Sequence, residues 1–175
     1  MGDTPLVCAA REGNLALVKQ LLSSGANMEL KNKLGDNALI CATYSGHGDI
    51  VKYLIEEGAD IEARDRLGKT VLMNAVQGKK HDIMTYLLQS GASLEAKDNR
   101  GWTALANASY REVLPSVVYL IERGADVNEL FENPLQNDFF DKYSEIRMII
   151  EGNITLLNER NLRKWKAYRL KQLFN

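Results

Sequence analysis

Proline and cysteine are scarce in this chain, three and two residues of 175, and apolar runs such as Leu120-Ile121 or Met148-Ile149-Ile150 extend over only a few residues. Two cysteines exclude a disulfide scaffold and suit a reducing compartment, so a cytoplasmic setting is expected, with the nucleus or a host-cell cytosol equally compatible. A transmembrane helix needs roughly 20 consecutive apolar residues, which the sequence does not offer. The first ten residues lack both the basic segment and the apolar stretch of a secretory signal. No glycine-rich phosphate loop, metal-ligand cluster or nucleophile with a plausible base occurs, so no catalytic residue, metal or cofactor is expected. With 45% hydrophobic and 26% charged residues, disorder is excluded as well.

What the sequence does contain is a repeat. Gly25, Gly58, Gly91 and Gly124 recur every 33 residues, each followed by alanine and preceded by an apolar pair: Leu21-Leu22, Leu54-Ile55, Leu87-Leu88 and Leu120-Ile121. Thr4, Asn37, Thr70 and Thr103 keep the same period, with Leu6, Leu39, Leu72 and Leu105 two places on and Ala9, Ala42, Ala75 and Ala108 five places on. Even Cys8 and Cys41 obey it.

Each unit reads as two short antiparallel helices and a turn. Thr4 or its equivalent is a good N-cap and Pro5 fits N1, where no N–H is needed. The first helix is expected to stop near Gly13, Gly46 and Gly78. In the second unit the next helix is expected to restart at Asp49 as N-cap, carry Ile50, Val51, Leu54 and Ile55 on one face, and end at Gly58 in a left-handed cap. Helices of about nine residues are marginal alone, so stacking must supply the core.

Gly35-Asp36-Asn37-Ala38-Leu39 and the segment from Gly46 to Ile61 closely resemble the ankyrin repeat. The resemblance implies an all-α ankyrin-repeat solenoid of antiparallel helix pairs with hairpin turns. Four repeats are expected within residues 1–130 (3–35, 36–68, 69–101 and 102–130). The family's signature histidine is replaced by Val7, Ile40, Met73 and Ala106, which predicts a more lipophilic stack. Residues 131–175 read as a degenerate fifth repeat, built on Phe139, Phe140, Tyr143 and the run 145–152, and a basic capping helix with Thr155 as a candidate N-cap. Such divergent C-terminal helices would cover the apolar end of the array.

Within residues 159–175 six basic groups face one acid, giving +5 and leaving −6 on the rest. That tail fits a solvated cap, an acidic protein partner, or a membrane or nucleic-acid contact.

By the resemblance, the turns before each cap and the ends of the first helices line the concave, partner-binding side. The turns contribute Lys31, Lys33, Leu34, Asp36, Arg64, Arg66, Leu67, Lys69, Lys97, Asn99, Arg100 and Trp102, and the helix ends Arg11, Tyr44, Gln77, Tyr110 and Arg111. The expected partner-binding residues are Arg11, Lys33, Leu34, Asp36, Tyr44, Arg66, Lys69, Gln77, Arg100, Trp102, Tyr110 and Arg111, a basic face with aromatic patches. Tyr44, Trp102 and Tyr110 are the expected anchors, since tyrosine, tryptophan and arginine dominate interfaces. Solvation of an exposed rim would explain the turn charges equally simply, and packing over a neighbouring turn would explain Trp102. Asp65 and Asp98 occupy positions that the family uses to hold its hairpins.

Cys8 and Cys41, one repeat apart at roughly 10 Å, are too distant for a disulfide and are expected to be buried, inert thiols. His47 and His81 are expected to be structural. Leu120 followed by Asp126-Val127-Asn128 resembles the ankyrin segment some asparaginyl hydroxylases accept, although Glu129 departs from it. The function expected is a protein-protein interaction module, an adaptor, scaffold, inhibitor or secreted effector, taking an acidic or extended segment of a protein partner. The alternative is nucleic-acid or acidic-surface binding through the basic turns and tail, against which the acidic remainder counts. No small-molecule substrate is expected.

Overall fold

In the computed structural model, residues 2–127 and 130 are described. The chain forms two compact units, residues 1–103 and 104–175. The first holds three helix pairs: α1 (Pro5–Glu12) with α2 (Leu15–Ser23), α3 (Ala38–Ser45) with α4 (Gly48–Glu56), and α5 (Val71–Gln77) with α6 (His81–Gln89). The described part of the second holds one pair, α7 (Ala104–Tyr110) and α8 (Leu114–Glu122), which bury Leu105, Ala108, Val117 and Leu120. No strand occurs among the described residues, only a single antiparallel bridge between Arg64 and Thr70 across a turn.

The caps start the first helices where the sequence implies. Thr4 Oγ1 accepts from the amide of Val7, Asn37 Oδ1 from that of Ile40, and Thr70 Oγ1 from that of Met73, at 3.2, 3.0 and 3.3 Å. Asn37 is fully buried and its amide also donates to Glu29 Oε2 at 2.9 Å, joining the cap to the preceding turn. The second helices end as expected: Gly58 adopts φ +92°, and the amide of Ala59 reaches back to the carbonyl of Leu54 at 2.9 Å.

Two boundaries differ from the spacing argument. α4 begins at Gly48 with His47 as its cap residue, so Asp49 lies in the first turn, where its carboxylate accepts from the amide of Ile50 at 2.9 Å. Gly46, left-handed at φ +92°, already reverses the chain, which leaves Gly48 free to be helical. In the third pair Gly78 is right-handed, and the left-handed position, equivalent to Gly13 and Gly46, falls on Lys79 at φ +56°. A side chain there costs about 1–2 kcal/mol. Lys79→Gly should therefore raise stability by about 1 kcal/mol in urea unfolding; an unchanged midpoint would mean that the strain is relieved elsewhere.

Stacking makes the core. α3 packs against both α1 and α5, and six of its eight residues, Ala38 through Thr43, are buried. Leu39, Leu72, Ile50, Leu54 and Leu87 are all at most 1% exposed. Val7, Ile40 and Met73, where the ankyrin signature carries histidine, are buried too, so this layer of the first unit is held by apolar packing. Cys41 is buried as expected, on α3 between α1 and α5, but Cys8 on α1 is half-buried. Both thiols are free.

Candidate functional site

The turns between pairs are built on one side chain each. Asn32, Asp65 and Asp98 are equivalent positions, and Oδ1 of each accepts the amides two and four residues ahead: Leu34 and Asp36, Leu67 and Lys69, Arg100 and Trp102, all at 2.8–3.0 Å. This Asx geometry tightens the loop into a hairpin. Burial works against the charged form of Asp98. The amides of Trp102 and Arg100 and the Arg100 guanidinium outweigh it, holding the carboxyl below the usual range. A carboxyl lowered in the folded state stabilises the fold above its unfolded value and loses that contribution as pH falls through the folded one. Acid unfolding should therefore begin below about pH 4, and Asp98→Asn should flatten that limb of the stability-pH curve; an unchanged limb would assign the acid sensitivity to another group.

Successive turns are then stapled to each other. The amide of Arg66 donates to the carbonyl of Leu34 at 3.1 Å, and that of Asn99 to Leu67 at 3.0 Å. Side chains add a second set, each bond spanning 33 residues: Lys31 Nζ to the carbonyl of Arg64 at 2.9 Å, Arg64 Nη1 to that of Lys97 at 2.6 Å, Asn99 Nδ2 to that of Arg66 at 3.2 Å, and Arg66 Nη2 to that of Lys33. Several turn cations thus have a structural job. Lys69 is buried, 6% exposed, with Nζ 2.5 Å from Gln77 Oε1. Arg100 pairs with Asp98 at 3.0 Å and lies over the Trp102 ring at 3.9 Å, and Trp102 itself is buried at 7% exposure.

Between the first two turn tips and the ends of α1, α3 and α5 lies an open groove of about 550 Å³. Six of the expected residues line it: Arg11, Leu34, Asp36, Tyr44, Arg66 and Gln77. Leu34, Leu67 and Tyr44 are 64, 57 and 53% exposed, half of the large apolar side chains that stand in solvent among the described residues. Lys33 is exposed on the first turn tip, and Lys69, Arg100 and Trp102 are placed as above. Tyr110 and Arg111 are exposed at the end of α7, in the second unit.

The floor is different in character from the rim. Asp36, Cys41, Asp65 and Asn74 lie there, residues that a search for exposed cations and aromatics passes over, Asp36 alone excepted. Burial, then the neighbouring Asp65 carboxylate, raise the Asp36 carboxyl above its ordinary range, against a hydrogen bond from Asn32. Burial and then Asp36 push the Cys41 thiol up to about 12, so it stays protonated and unreactive. Arg11 is occupied at 3.0 Å by Asp3, which the Asn32 amide also contacts at 2.9 Å.

His47 is structural: its Nε2 bonds the carbonyl of Arg11 at 3.0 Å, tying α4's start to α1's end. His81 opens α6. Among the described residues no group of three or more histidine, cysteine, aspartate or glutamate side chains could hold a metal ion, and no helix is long and apolar enough to cross a membrane. Asn128, the expected fifth repeat and the basic terminal helix lie outside the described residues.

Paired short helices joined by stapled hairpins, repeated every 33 residues, define a helical repeat protein of the solenoid class. A family model of ankyrin repeats, three copies long, matches residues 1–65 and 62–130. The chain belongs to the ankyrin-repeat family, whose members are generally protein-protein interaction modules. No curated protein matches it.

Proposed function

We propose that the chain is an interaction module that takes an extended segment of a protein partner in the groove between its first two turn tips and the first helices. The observation that carries this is the exposure of Leu34, Leu67 and Tyr44 around one cavity. Burying a leucine against a partner gains about 1.5–3 kcal/mol, and nothing within the fold requires these three to stand in water. Lys33 and Arg66, exposed on the first two turns and paired with no carboxylate among the described residues, would draw acidic flanks of that segment toward the groove and make association salt-sensitive.

Capture from a native extract with the intact chain supplies the partner. Leu67→Asp and Tyr44→Ala should each weaken the captured complex by about ten-fold or more, while Lys52→Glu, on α4, should leave it unchanged. Retention of the complex by both groove variants would place binding on another surface.

A further inference from the structure

Among the described residues, no cation pairs with the Asp36 carboxylate. It lines the groove, half-buried, and the charges acting on it are the carboxylates of Asp65 and Asp3. Neither arginine of the groove is paired with it: Arg11 pairs with Asp3, and Arg66 donates to the carbonyl of Lys33. Asp65 spends Oδ1 on two turn amides, and its Oδ2 meets only the Asn74 amide, at 3.5 Å. Among the described residues, then, no cation pairs with Asp36 or Asp65, which lie beneath a rim of apolar side chains.

Resting on the groove reading above, we propose that the partner segment is an extended peptide carrying one arginine, whose guanidinium sits over Asp36 and Asp65 while apolar residues on either side of it lie against Leu34 and Leu67. Arginine suits the site better than lysine for two reasons. Its planar fork can bond the Asp36 carboxylate beside the hydrogen bond from Asn32, and its face can stack on the exposed Tyr44 ring. Its weaker hydration also lowers the desolvation that entry into a half-closed groove requires. The acidic flanks attributed to the partner would lie outside this contact, toward the arginine-bearing rim.

The pairing accounts for why an unfavourably placed carboxylate sits there. Asparagine at position 36 would keep the acceptor for Asn32 and remove the repulsion with Asp65. Asp36→Asn should thus fold with a thermal midpoint no lower than the parent, which separates loss of binding from loss of structure.

The experiment uses the full chain and three fluorescent heptapeptides, Gly-Leu-Ala-X-Ala-Leu-Gly, in which X is arginine, its neutral isostere citrulline, or glutamate, read by fluorescence anisotropy. The arginine peptide should bind, the other two should bind at least ~10-fold more weakly, and Asp36→Asn should lose the arginine preference. Equal binding of the arginine and citrulline peptides, full arginine preference in Asp36→Asn, or no binding of the arginine peptide up to ~1 mM would each overturn the proposal. If peptide binding survives Leu67→Asp and Tyr44→Ala as well, the groove reading falls with it; if the parent binds the three peptides equally and those variants abolish binding of all three, the groove stands and only the cation is lost.

Discussion

Leu54→Ala is expected to destabilise the first unit by about 3–4 kcal/mol, a large part of the 5–15 kcal/mol typical of a domain. Leu54 is fully buried on α4, which packs against α3 and touches both α2 and α6. Helices of eight or nine residues cannot reorganise around a cavity without losing one of those contacts, so little relaxation offsets the lost transfer and dispersion terms. The equivalent Leu21 on α2, which packs against α4, is only half-buried. Leu21→Ala should therefore cost about 1–2 kcal/mol. Urea unfolding measures both. Equal losses at the two positions would contradict a stack whose stability comes from nearest-neighbour burial.

Gly35→Ala is the second large effect, about 2 kcal/mol or more, because two penalties coincide. Gly35 sits at φ +82°, where a β-carbon is strained in any surroundings, and the added carbon would also lie 2.5 Å from the backbone nitrogen of Arg66. That nitrogen donates the bond that staples the second turn to the first, so the variant should open the groove's wall as well as lower stability. Gly25 separates the two penalties: it is equally left-handed at φ +83°, but a β-carbon there meets nothing within 4 Å. Gly25→Ala should cost about 1 kcal/mol, and the difference between the variants in thermal unfolding reads the close approach alone. No difference would mean that the turns can part freely.

The residues that announce the fold do so through geometry that a single repeat already contains. Thr4, Asn37 and Thr70 cap because a side-chain oxygen three residues from a free amide has one good use, and Gly58 ends α4 because only glycine takes φ +92° without strain. The helix starts that depend on how two turns meet were less legible. Asp49 looks like a cap in sequence, but the reversal at Gly46 puts the cap two residues earlier, on His47, and Lys79 accepts a left-handed backbone that its sequence neighbour Gly78 was better suited to take. The candidate site was legible in outline and not in polarity. Its rim follows from position in the repeat, so Leu34, Tyr44 and Arg66 were findable. Whether Arg64 or Lys31 is a free charge or a staple depends on a carbonyl 33 residues away, and that Arg11 is paired depends on Asp3, eight residues back. Trp102 shows the same limit: its place in the turn suggests contact with a partner, while its surroundings, Arg100 stacked on its face, bury it.

The groove is the centre of this account, and backbone amide shifts recorded while the captured partner, or the arginine peptide, is titrated into the labelled chain test it most directly. Shifts concentrated at Leu34, Asp36, Tyr44, Leu67 and Gln77, with the second-helix residues Lys19, Lys52 and Tyr86 unmoved, are the predicted result. Shifts centred on α2, α4 and α6, with the turn tips and first-helix ends silent, would contradict it.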